Sequence, residues 1–188
     1  MIRANITATT LPEYYEKLVA AQEAAHGAHY CSHHAVIRQA ASDGCSSYCE
    51  CGVNQGATLA CALLAGFTFV AGVDASLAPL KPWWSLFEAY AAPRMLTTCT
   101  VAECDSREPF SRPFDFLLCD ALHTATGVRE ELLAHAQHVR RYILVHDTAA
   151  NPEMGKMVEL FAYVHPGPWT VQQRDTRNVG WTLLARTP

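Results

Sequence analysis

Four short apolar runs in this chain each close on an acid: SYCE at Ser47–Glu50, FTFVAGVD at Phe67–Asp74, FDFLLCD at Phe114–Asp120 and RYILVHD at Arg141–Asp147. Runs that stay apolar without alternating, and that last four to eight residues, belong to strands covered on both faces. Such strands occur in parallel sheets, and parallel neighbours need a crossover connection between them. A further strand is expected over Met95–Val101, followed after Ala102 by Glu103, Cys104, Asp105 and Ser106. Helical patterning separates most of these runs, over Gln55–Ala65, 78–91, Thr124–His138 and Pro152–Val164. Two more helices, Leu11–Ala25 and Ser32–Ala41, precede the first strand. The first of them carries Thr10 as a cap and Pro12 in its first turn.

Beyond Val164 the character changes. Trp169–Gln173 and Gly180–Ala185 read as two strands joined by the polar turn Asp175–Asn178, with no helix between them, which is the spacing of an antiparallel hairpin. Right-handed crossovers through the rest of the chain generate an open, mostly parallel sheet with helices on both faces. A chain of 188 residues suits one compact domain. The expected division is a helical segment at 1–44 and an α/β unit at 45–188.

In an open α/β sheet, ligands bind beyond the carboxyl ends of the strands, near the point where strand order reverses. One acid at a strand end would be an ordinary solvated group. Acids at five equivalent places, Glu50, Asp74, Asp105, Asp120 and Asp147, point instead to a functional rim. The turn after the first strand, E-x-G-x-x-x-G over Glu50–Gly56, adds to this. Glycines at 52 and 56 let the backbone approach a ligand, and the helix that follows offers its unpaired N–H groups.

Composition excludes several classes. The net charge is −4, with 17% charged residues, so no basic footprint for nucleic acid or an anionic membrane is present. No apolar run reaches the roughly 18–20 residues that cross a bilayer, and MIRANITATTLPEYYEKL lacks the build of a secretory signal. The expected location is cytoplasmic. The eight cysteines form no C-x-x-C pair and are expected to be reduced, buried hydrophobes. The cluster His26, His29, Cys31, His33 and His34 has zinc-ligand types at a spacing that matches no ordinary finger. A helix connection or substrate-facing segment suits it better.

The chain resembles the class I S-adenosylmethionine-dependent methyltransferases, and within them the small sugar and natural-product O-methyltransferase-like branch that also includes cephalosporin hydroxylase-type proteins. The likeness runs from about residue 45 to 150. It rests on ECGVNQG at Glu50–Gly56, on Val73–Asp74, on LLCDALHTATGVREELLAHA at Leu117–Ala136, similar to the family's D-x-x-H-x-Y-x-x-V-x-x-(D/E) block, and on YILVHDT at Tyr142–Thr148. It implies a Rossmann-like, doubly wound, seven-stranded sheet. It implies further that Gly52 and Gly56 pass close to the cofactor's methionine part, that Glu50 orients its amino group and that Asp74 accepts from the ribose hydroxyls. Asp105 and Ser106 would lie by the adenine. Asp120, His146 and Asp147 sit where several relatives hold a divalent cation; a His–Asp–Asp set favours a transition metal or serves as a structural hydrogen-bond cluster. His123 takes a possible catalytic base position, with Asp120 and Asp147 positioning a cation or the substrate hydroxyl. The alternative is a helix N-terminal histidine satisfied by Asp120 or solvent.

The activity so implied is O-methylation of a small-molecule or glycan hydroxyl. The segment after the fourth strand, Asp120-Ala121-Leu122-His123, lacks the D/N-P-P-Y/F/W pattern of methyltransferases acting on nucleic acid amines. Residues 1–45 and 76–93 are left to build the acceptor site, and a homo-oligomer would supply what they lack. Trp83, Trp84, Phe87 and Tyr90 have helical spacing, which suits core or interface packing more than an acceptor pocket. Two other classes share parts of this pattern. A dinucleotide-binding oxidoreductase has the same strand, glycine turn and helix but wants G-x-G-x-x-G. A non-catalytic binding or assembly module would keep the pocket alone.

Overall fold

The computed structural model describes residues 6–94, 97–164 and 169–187. Seven strands form one sheet: β1 (Ser47–Cys51), β2 (Phe69–Asp74), β3 (Thr98–Glu103), β4 (Phe114–Cys119), β5 (Val139–His146), β6 (Trp169–Asp175) and β7 (Trp181–Arg186). Among the described residues six α-helices accompany them: α1 (Leu11–His26), α2 (His34–Ser42), α3 (Ala57–Ala65), α4 (Trp84–Ala91), α5 (Ala125–His135) and α6 (Pro152–Val164). The strand order is β3-β2-β1-β4-β5-β7-β6. β1 to β5 pair in parallel, and β7 runs antiparallel between β5 and β6. The expected architecture is therefore the observed one: a doubly wound parallel sheet closed at one edge by a hairpin.

Local chemistry explains the ends of the elements. The Thr10 side chain accepts from the Glu13 amide, and the Glu13 carboxylate accepts in return from the Thr9 amide. This reciprocal capping starts α1. Thr124 caps α5 by accepting from Gly127 N–H. The β3–β4 connection carries no helix: Cys104–Pro113 is a charged ten-residue loop with Pro109 and Pro113, too short and too proline-rich for a covering helix. β3 spans Thr98–Glu103 rather than ending at Val101; Met95 and Leu96, where its start was expected, lie outside the described residues.

Side chains alternate between two cores. Tyr48, Phe116, Leu118 and Leu144 pack with α1, α2, α3 and Phe87, while Cys49, Cys51, Leu117, Ile143 and Val145 pack with α5 and α6. Burial of this kind is worth about 25 cal/mol per Å² of apolar surface removed from water. The aromatic set of 83–90 serves packing: Phe87 is fully buried, and Trp83 stacks on Tyr14 at 4.8 Å. All eight cysteines are free thiols, six of them buried.

The last strands also fasten the first helices. The Asn178 side-chain amide donates to the carbonyls of His26, Gly27 and Ala28, at 2.9–3.3 Å. Trp181 Nε1 donates to Ser32 Oγ at 2.9 Å. The hairpin turn thus clasps the α1–α2 connection and holds it over the carboxyl ends of β1, β4 and β5.

Candidate functional site

The strand order reverses between β1 and β4, and their last residues, Cys51 and Cys119, are register partners. Beyond them the chain leaves a cleft of about 780 Å³ walled by Gly52, Asn54, Asp74, Glu103–Arg107, Asp120–His123, Asp147 and Tyr30. Gly52 makes the junction feasible. It has φ 91°, and a Cβ there would lie 2.3 Å from the Asp120 carbonyl oxygen, so the backbone of one strand end crosses the other with no room for a side chain.

Asp74 stands at one end of the cleft. Its carboxylate accepts from the Asn54 amide at 2.8 Å and from the Ser76 amide at 3.0 Å. Each oxygen keeps a lone pair for a ligand hydroxyl. Asn54 reaches this position with φ 47°, a left-handed conformation that asparagine tolerates. Along the adjoining wall Asp105 is held by Arg107, whose Nε and terminal nitrogen donate to its two oxygens at 2.9 and 2.6 Å. That hydrogen bonding holds the Asp105 carboxyl down at about 2. Ser106 is buried, and its carbonyl lies 2.6 Å from His135 Nε2.

At the opposite end two histidines and two aspartates interlock. His123 Nδ1 lies 2.8 Å from Asp147, and His146 Nδ1 lies 3.0 Å from Asp120 and 3.2 Å from Asp147. Burial acts to push His146 down, but the charge and hydrogen bond of Asp120, joined by Asp147, push it up to about 9. His123 is raised chiefly by its bond to Asp147. Burial acts to raise Asp147, and its two histidine partners outweigh this and hold it below the usual carboxylate range. Asp147 has φ 60°, costly for a residue with a Cβ, and backbone strain of this kind clusters at functional sites.

One ligand atom from each of Asp120, His146 and Asp147 falls within 4.8 Å of the others, the one such group among the described residues. The set fits a divalent cation, and a nitrogen with two carboxylate oxygens suits a transition metal better than magnesium. Protons compete for the same place, because the imidazolium form of His146 offsets the charge of the two carboxylates it contacts.

Glu50 and Gly56 lie outside the cleft walls. Glu50 is fully buried under α3; Tyr48 donates to one carboxyl oxygen at 2.5 Å and the other oxygen has no partner. Burial pushes its carboxyl up to about 8. Gly56, at φ 80°, starts α3, and a Cβ there would meet Leu80 and Phe87 at 2.8–2.9 Å. It is shaped by packing against α4.

Three contributors were not among the expected site residues, although His33 stood in the cluster read as a helix connection or substrate-facing segment. Tyr30 walls the cleft and meets His146 edge-on at 5.7 Å; burial, with the charges of Asp120 and Asp147, pushes its phenol up to about 12. His33 packs on His146 at 4.3 Å, and burial with that neighbour's charge pushes it down. Asn54 was read only as part of the turn. The histidine-rich segment at 26–34 was the one available signal for the first two, and its contact with His146 depends on the distant clasp by Asn178 and Trp181.

Scanned against protein-family models, the sequence matches none, and no curated protein matches it. Solved structures do match. The SAH-bound methyltransferase PaMTH1 of Podospora anserina superposes with a TM-score of 0.69 at 12% identity, covering 97% of this chain and 89% of that one. The O-methyltransferase TomG of Streptomyces achromogenes, involved in tomaymycin synthesis and in complex with SAM, gives 0.64 at 15%, over 98% and 93%. Magnesium protoporphyrin IX methyltransferase (ChlM) of Synechocystis PCC 6803 with bound SAM gives 0.66 at 14%, over 98% and 88%. The chain has the class I methyltransferase fold. In that fold β7 lies between β5 and β6, as here, and the order departs from the 3-2-1-4-5-6 sheet of dinucleotide-binding domains.

Proposed function

We propose that this protein is an S-adenosylmethionine-dependent methyltransferase acting on a hydroxyl of a small molecule or glycan. The observation that carries the reading is the division of one cleft. Asp74, an acceptor-only carboxylate positioned by two backbone amides, stands at one end, and the His123–Asp147–His146–Asp120 cluster stands at the other. The solved structures named above support the cofactor, since three of that fold hold SAM or SAH. Two of them are an O-methyltransferase and a porphyrin methyltransferase by name, in keeping with a small acceptor.

The cofactor supplies a methyl group on a sulfonium, transferred by in-line displacement. This chain's residues contribute position and proton handling. Asp74 takes the ribose hydroxyls, the Asp105–Arg107 wall borders the nucleoside, and Gly52 lets the backbone lie against the methionine part. His123 accepts the acceptor's proton at Nε2, while Asp147 holds its Nδ1 and stabilises the imidazolium that forms. Tyr30 closes the same end with a protonated hydroxyl. A divalent cation held by Asp120, His146 and Asp147 would lower the pKa of a bound acceptor hydroxyl. Alignment supplies most of the rate effect in such a displacement.

Calorimetric titration with SAM, SAH and NAD tests the reading. Micromolar binding of the two sulfur ligands, weakened about tenfold or more in Asp74→Ala (about 1.4 kcal/mol), is the expected result. Absence of binding by either sulfur ligand removes it, and binding without turnover on any hydroxyl acceptor leaves a cofactor-binding module. Turnover unchanged both in His123→Ala and after chelation would remove the base and the cation together.

A further inference from the structure

Beneath the nucleoside end of the cleft lies a buried acid that none of this chemistry uses. Glu131, on α5, is fully buried, and neither of its carboxyl oxygens has a hydrogen-bond partner. An unsatisfied buried polar group costs about 1–3 kcal/mol, so its retention here needs a reason. Two loops act on this carboxyl: Ser106, from the loop after β3, and the Leu122 backbone, from the loop after β4. Both residues wall the cleft. One helical turn further along the same face of α5, His135 grips the Ser106 carbonyl at 2.6 Å, its ring stacked on Phe110 at 4.3 Å. Cys51 and Cys119 lie near it, the charge of Asp120 acts to raise its carboxyl and that of His123 to lower it, and Val128 and Leu132 belong to the core on the same side. Burial pushes the carboxyl up to about 7. Ser106 and the Leu122 backbone act against that shift, each favouring the ionised carboxylate as a donor.

We propose that Glu131 is a positioning residue that ties the Ser106 loop to the Leu122 loop and so shapes the nucleoside end of the cleft. Its carboxyl lies between the two loops and interacts with each, which sets how they pack against one another. His135 supplies the fixed half of the same arrangement. Glu131 touches no ligand; it acts through Ser106 and Leu122. The argument rests on the cofactor reading above only for the identity of the ligand.

The test pairs Glu131→Leu with Glu131→Gln, the amide keeping a donor and an acceptor. SAH affinity is read by calorimetry, and amide hydrogen exchange at 104–107 and 121–123 is read on the ligand-free protein. Glu131→Leu is expected to weaken SAH binding about tenfold (about 1.4 kcal/mol) and to raise exchange in both loops, with Glu131→Gln restoring both readouts. Wild-type exchange and affinity in Glu131→Leu overturn the proposal, as does a Gln variant no better than Leu. Should the wild type bind no SAH, the cofactor reading falls, and loop exchange alone decides the role of Glu131. Should Glu131→Leu fail to fold, Ser106→Ala reads the same tie: raised exchange at 121–123 supports it, and unchanged exchange overturns it.

Discussion

Glu50 keeps a carboxyl where water cannot reach it, and the consequence is a stability that depends on pH. Its folded value of about 8 lies above its ordinary 4.5, so between these limits the folded state holds a proton that the unfolded state has lost. Stability therefore falls as pH rises through that window, by up to about 1.4 kcal/mol per pH unit. Glu50→Gln removes the titration and keeps a group able to pair with Tyr48. The difference in melting temperature between Gln variant and wild type should widen from pH 5 to pH 8 in favour of the variant, and a constant difference would refute the account. Subtracting the two proteins cancels the slope from His146, which is also raised and adds loss above about 6.5. Gly52→Ala tests the opposite kind of constraint. A Cβ 2.3 Å from the Asp120 carbonyl, at φ 91°, should destabilise by about 2–4 kcal/mol, measured by urea unfolding. The acids that mark this cleft were legible in the sequence because they recur at strand ends. Glu131 closes the block that begins at Asp120, but its burial was not legible, since an acid in the helical run REELL looks like any solvated helix residue until the Ser106 loop is folded over it.

Among the elements, the strands were legible because a strand buried on both faces stays apolar along its length, whatever its neighbours. β3 was harder: four of its six residues are exposed, so its pattern faded and its end fell two residues later than expected. What no local pattern carries is the clasp of the β6–β7 turn on the α1–α2 connection, across about 150 residues of sequence. Asn178 there looks like a turn residue, and it is one, with φ 54°. Its side chain nonetheless satisfies three carbonyls and so holds Tyr30 and His33 against the cluster at His146. Asn178→Ala should cost about 1–3 kcal/mol of stability and raise hydrogen exchange selectively at residues 27–33. Equal exchange in both proteins would show that the segment holds its place without the clasp.

At the scale of the whole molecule, the sheet order brings the ends of β1, β2, β4 and β5 to one rim, and the cleft lies across the reversal between β1 and β4. A ligand there touches loops from both halves of the sheet, so its binding energy couples to unfolding of the entire domain. Ligand at a hundred times its dissociation constant adds about 2.7 kcal/mol. For a domain of this size that corresponds to about 5–10 °C in melting temperature. SAH should produce such a shift, NAD should not, and Asp74→Ala should lose most of the shift at the same SAH concentration. Asp74 draws its amide partners from the turn after β1 and from the residues just past β2. Its loss thus affects the ligand's grip on both strands, while the buried cores on the two faces remain intact. A variant that melts like the wild type without ligand, but no longer responds to SAH, would locate the effect in the cleft. A variant whose response survives would move the nucleoside away from Asp74.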